Sequence, residues 1–82
     1  MKRDVLIHAA EARRLVSVNL REKRKQAGLS QEALAAASQL HRTELSLIER
    51  GERDPRVSTL VRIAHGLGIE PCELLGGELA DS

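Results

Sequence analysis

Residues 29–50 read LSQEALAAASQLHRTELSLIER, and this stretch decides the architecture. Ser30 is a good N-cap, and Glu32 suits the first turn of the helix that follows, near its positive end. That helix is short and ends near Ser38, with Leu34 and Ala35 facing inward. Ser38-Gln39-Leu40 is a brief turn. A second short helix then runs from about His41 to Arg50, with Leu45 and Ile48 as its buried pair and Gly51 as its stop. For the two helices to cross closely, Ala35 must be small, and Leu40, Leu45 and Ile48 must be apolar to hold the crossing. The outer face of the second helix is then left to Arg42, Thr43, Ser46, Leu47 and Arg50.

The flanks read as helix too. Upstream, Val5, Ala9, Ala12, Val16 and Leu20 form a stripe spaced by threes and fours. It predicts a first helix that starts at about Asp4 or Glu11, ends at Ala27 and is capped by Gly28. Residues 1–15 are therefore either an N-terminal extension or the start of that helix. Downstream, residues 51–55 (GERDP) make a loop closed by Pro55. A fourth helix is expected over Val57 to Leu67, with Leu60, Val61, Ala64 and Leu67 on one face and Gly66 and Gly68 closing it. Pro71 sits well at the first position of a fifth helix, whose apolar side is Leu74 and Leu75. Residues 77–82 read as a flexible tail. The expectation is an all-α, compact five-helix domain over residues 16–76.

Composition narrows the class. Eighty-two residues make one domain with little stability to spare. Phe, Tyr and Trp are all absent, so the core is built from Leu, Ile, Val and Ala. The net charge is only +1, but residues 1–28 carry eight bases and three acids while residues 57–82 carry one base and four acids. A basic end and an acidic end result, and a polyanion would meet the basic side. No apolar run approaches the ~20 residues of a membrane span, and the N-terminus does not read as a signal peptide. A single cysteine, Cys72, leaves no internal disulfide to form. The expected compartment is a reducing cytoplasm.

Two short helices joined by so brief a turn suggest a helix-turn-helix. Three runs in order, LSQEALA, HRTELSLIERGERDP and TLVRIAHGLGI, closely resemble the Cro/cI-type (XRE-like) helix-turn-helix family of bacterial transcriptional regulators. The resemblance covers about residues 16–75. It implies a lambda-repressor-like fold that binds operator DNA as a homodimer, with helices 2 and 3 forming the motif and helix 3 in the major groove. It also implies roles for individual residues. His41, Arg42 and Thr43 stand nearest the bases, with Ser46 and Leu47 one turn on. Arg42 suits guanine O6 and N7, and Leu47 suits a thymine methyl. Gln31 matches a phosphate-holding position, and Arg50 and Arg56 are backbone candidates. The resemblance further implies a structural salt bridge between Arg24 and Glu49.

Two positions depart from the family pattern. Gln39 stands where glycine is common; a positive φ there costs about 1 kcal/mol, so a slightly reshaped turn is expected. Ser38 stands where an apolar residue is common, which thins the local core. Glu44 stays open: it reads cytosine N4, repels wrong sequences, or is an ordinary acid at a helix start.

Leu67, Ile69, Leu74 and Leu75 are dimer candidates, or else core of the single chain. The expected function is sequence-specific binding of double-stranded operator DNA, as a repressor or autoregulating controller. The rival reading is an antitoxin-type module that holds a toxin or another protein, with DNA binding secondary. An enzyme is not expected, because no nucleophile, base and acid share a plausible pocket. No cofactor and no metal are expected: His8, His41 and His65 share no helical face or ligand spacing.

Overall fold

The α-helices of this chain begin and end by local rules visible in the sequence. A computed structural model describes residues 2–77, with side chains from His8 onward. It contains α1 (Lys2–Gln26), α2 (Gln31–Ala37), α3 (Arg42–Glu49), α4 (Val57–Leu67) and one 3-10 turn (Pro71–Leu74). No strand occurs among the described residues. The Ser30 hydroxyl accepts from the Ala33 N–H at 3.0 Å and so caps α2.

Every α-helix stops in the same way. A residue with positive φ lets its own N–H and the next one bond back to carbonyls of the last turn. At the end of α3 the Gly51 N–H reaches Ile48 O (3.0 Å) and the Glu52 N–H reaches Leu47 O (2.9 Å). Glycine supplies the conformation after α1, α3 and α4, and Gln39 supplies it after α2, with φ 57°. The bonds there are the same: Gln39 N–H to Ala36 O and Leu40 N–H to Ala35 O. The turn is therefore not reshaped, and Gln39 bears the strain instead. Gln39→Gly should raise unfolding stability by about 0.5–1 kcal/mol. The left-handed cost of about 1–2 kcal/mol disappears, and part of that gain is offset by glycine's greater freedom when unfolded. A urea midpoint measurement checks this; an unchanged midpoint would show that the strain is no larger than glycine's entropic cost.

Helix α1 is continuous from Lys2, so it starts earlier than either expected position. It packs on α3 and on the 3-10 turn, while α2 packs on α3 and α4. The core is Val16, Leu20, Leu34, Ala35, Leu45, Ile48, Leu60, Ile63, Ala64 and Leu74, with Leu29, Leu40, Leu67 and Ile69 against its margin. Full burial of one such aliphatic side chain contributes about 2 kcal/mol. Only the later half of the expected α1 stripe belongs to this core. Val16 and Leu20 are buried and Ala9 is exposed. The side chain of Val5 lies outside the described residues, as does the expected tail from residue 78 onward.

Four further expectations need correction. Val61 is 47% exposed, and Ile63 takes its place in the core. The buried face of α4 follows 60, 63, 64 and 67, the i, i+3, i+4, i+7 pattern of one helix face, and Val61 falls just off it. Gly66 does not close α4 but lies inside it, against α2. The fifth helix is a single 3-10 turn rather than an α-helix. Its N-terminus has a reciprocal capping box, in which the Glu70 N–H donates to Glu73 at 3.0 Å, and glycines follow at once. Leu74 is fully buried within the single chain, so it serves the monomer core and is not available to a partner.

The 3-10 turn is tied to α1 by polar bonds. Asn19 Nδ2 donates to Leu74 O (2.9 Å) and Gly76 O (2.8 Å). Lys23 Nζ lies 3.3 Å from Glu73 Oε1. The Glu70 N–H and the Lys23 ammonium together hold the Glu73 carboxyl below its usual pKa.

Candidate nucleic-acid interface

Helix α3 divides into an inner and an outer face. Leu45, Ile48 and Glu49 are buried. His41, Arg42, Thr43 and Arg50 are exposed, while Glu44, Ser46 and Leu47 are half-buried. The exposed groups cluster at the start of the helix, and Arg42 is its first residue. A helix N-terminus with a guanidinium and a hydroxyl beside it presents donors, which suits base edges and phosphates.

The inner acid is clamped. Arg24 Nε donates to Glu49 Oε2 at 2.6 Å and Arg24 Nη2 donates to Glu49 Oε1 at 3.1 Å, a bidentate pair. The Glu49 side chain is 3% exposed and that of Arg24 15%. Two more bonds join this pair. Arg24 Nη1 donates to Leu29 O (2.9 Å), and Gln31 Nε2 donates to Glu49 Oε1 (3.1 Å). One guanidinium thus ties the end of α1, the connection into α2 and the end of α3 together. Gln31, expected on a phosphate, has its amide turned to Glu49 in the free chain and remains half-buried beside the α2 N-terminus.

The outer cations have partners of their own. Arg42 Nε stands 3.2 Å from Glu32 Oε2, and Arg50 Nε stands 3.4 Å from Glu52 Oε2. Both pairs are exposed, and such pairs contribute little to folding. Glu44 lines, with Arg53, Arg56 and Arg62, an open cleft of about 460 Å³ between α3 and the start of α4. Arg56 is the N-cap residue of α4 and makes no side-chain cap bond. Of the dimer candidates, Leu75 is exposed, and Leu67 and Ile69 lie half-buried against the core margin.

Sequence reading missed two features of this surface. Glu32 was placed only as an acid near a helix dipole, and its pairing with Arg42 depends on the crossing of α2 and α3. Arg53 and Arg62 are far from Glu44 in sequence, so no spacing rule joins them. Among the described residues no helix is long and apolar enough to cross a membrane.

A family model described as Helix-turn-helix matches residues 20–74. The uncharacterized HTH-type transcriptional regulator y4dJ of Sinorhizobium fredii is 40% identical over 65 residues, spanning 79% of this chain and 84% of that protein. The control protein C.SmaI of Serratia marcescens is 38% identical over 65 residues, spanning 79% of this chain and 77% of that protein. Among solved structures, the restriction-modification controller protein C.AhdI from Aeromonas hydrophila is similar with a TM-score of 0.72 and 42% identity. That match covers 73% of this chain and 91% of the controller protein.

Proposed function

This chain belongs to the helix-turn-helix (XRE-like) family of DNA-binding transcriptional regulators, and from that premise we propose that it binds an operator through the major groove as a homodimer. One observation carries the reading. The start of α3 offers Arg42 and Thr43 to solvent with His41 beside them, while its inner face is fixed by Leu45, Ile48 and the Arg24–Glu49 pair. A rigid helix with donors at its leading end is what a groove reader needs. Ser46 and Leu47 stand one turn behind, and Arg50 and Arg56 flank them as phosphate contacts. Gln31 reaches a phosphate only by leaving Glu49 or by sharing its second amide hydrogen.

Of the relatives above, one is named a control protein and another a restriction-modification controller protein. This favours a self-limiting controller or repressor whose occupancy follows its own concentration. Of the four dimer candidates, Leu75, Leu67 and Ile69 remain for that contact.

Selection of bound duplexes from random DNA tests the reading, and a two-fold symmetric or repeated consensus is expected. On the selected site, Arg42→Ala should weaken binding by about 1–3 kcal/mol and relax the preference at one base pair. Arg50→Ala should weaken all sequences alike and flatten the salt dependence. An affinity within twofold of wild type for Arg42→Ala, with circular dichroism unchanged, would remove α3 from the groove.

A further inference from the structure

Glu32 does more than favour a helix dipole. The crossing of α2 and α3 sets its carboxylate against Arg42, with Oε2 3.2 Å from Nε. The contact is made at the Nε edge of the guanidinium. A guanidinium has five N–H donors in a fixed planar fork. A carboxylate on Nε leaves the Nη1 and Nη2 groups for a guanine, whose O6 and N7 accept a bidentate pair. Both side chains are well exposed, at 67% for Glu32 and 61% for Arg42, so the pair adds little to folding. What it constrains is the orientation of a long, flexible cation at the leading end of α3.

We propose that Glu32 is a positioning residue for base reading: it holds the Arg42 guanidinium in plane and stays bonded to Nε while Arg42 reads a guanine. This rests on the groove reading above. Two opposed effects follow. A tethered arginine has lost part of its rotamer freedom before DNA arrives, which strengthens the correct contact and penalises displaced ones. An extra carboxylate beside the phosphate backbone weakens binding to every sequence. Glu32 therefore exchanges general affinity for selectivity.

The test uses the full chain and three duplexes: the site selected by wild type, the same site with Arg42's guanine replaced, and an unrelated sequence. Arg42's guanine is the one whose preference weakens most, without vanishing, in Arg42→Ala. In Glu32→Ala, affinity for the unrelated duplex should rise about twofold or more, from the lost charge. Discrimination at that guanine should fall about fivefold, the low end of what a bidentate contact is worth. In Glu32→Gln an amide oxygen takes the carboxylate's place against Nε without its charge, so general affinity should rise while most of the discrimination survives. In the Arg42→Ala background, Glu32→Ala should leave discrimination at that base pair unchanged. A loss under about threefold in Glu32→Ala, or an equal loss in the Arg42→Ala background, overturns the proposal while leaving the groove reading in place. A wild-type protein that selects no consensus at all overturns the groove reading, and the role of Glu32 with it.

Discussion

Glu49→Ala should cost about 3–5 kcal/mol of folding stability. The carboxylate is enclosed, and three N–H donors converge on it: Arg24 Nε, Arg24 Nη2 and Gln31 Nε2. Alanine leaves Arg24 charged and largely buried with only the Leu29 carbonyl as partner. That stranded charge, rather than a lost attraction, is the main source of the cost. A chain of this size commonly has about 5–10 kcal/mol in hand, so the variant should be partly unfolded near physiological temperature. Removing both partners is less harmful. In Arg24→Met with Glu49→Leu no buried charge remains, and the double variant should be more stable than Glu49→Ala alone. Chemical denaturation followed by circular dichroism measures both. A cost below about 1 kcal/mol for Glu49→Ala would mean that water reaches the site and the pair behaves as a surface one.

The same cluster explains how acids can belong on a helix proposed to face a polyanion. The four acids of residues 44–54 have different environments. Glu49 points inward and holds the helix in place. Glu52 pairs with Arg50 on the rim. Glu44 and Asp54 border the cleft with Arg53, Arg56 and Arg62, whose positive charges offset theirs. Charge sign along the sequence thus says little about the field at the surface until the crossing of the helices is known.

Local signals in the sequence were legible, and non-local ones were less so. Ser30, Gly28, Gly51 and Gly68 act within a few residues of themselves, so the helix ends they set could be read directly. Helix α4 was bounded correctly for that reason, yet its buried face was phased one residue off at Val61. Six apolar residues in eleven fit more than one face, and only packing against α2 and the 3-10 turn selects among them. The start of α1 at Lys2 lies two residues before the earlier expected position, because the stripe that marks the helix begins only at Val5. Gln39 shows the reverse limit: the backbone bonds around it outweigh a conformational cost that, by itself, predicts a different turn. The outer face of α3 could be named residue by residue. The partner of Arg42 could not, since Glu32 and Arg42 are joined only through the fold.

Gly66→Val should cost about 3 kcal/mol, and the reason lies in that same non-local packing. Glycine in the middle of a helix is unfavourable by about 0.8–1 kcal/mol relative to alanine, so α4 carries it for a reason outside the helix. A Cβ at residue 66 would lie 2.5 Å from Ser38 Oγ and 3.3 Å from both the Ala37 carbonyl carbon and Leu34 Cδ1. The Ala37 carbonyl carbon belongs to the backbone at the end of α2 and cannot withdraw without moving α2 against α4. Overpacking of this kind typically costs about 1–3 kcal/mol, and a β-branched side chain stands at the upper end. Ser38 offers a way to separate the contributions. It is buried, and its Oγ has no hydrogen-bond partner. Ser38→Ala should therefore be neutral or stabilising by up to about 1 kcal/mol, and it removes the closest clash. Gly66→Ala in the Ser38→Ala background should cost at least about 1 kcal/mol less than in wild type, a coupling large enough to measure by a double-mutant cycle. Equal costs in the two backgrounds would place the obstruction on the α2 backbone alone. A stabilising Gly66→Ala would mean that helix propensity outweighs the contact, and that α2 and α4 have room to part.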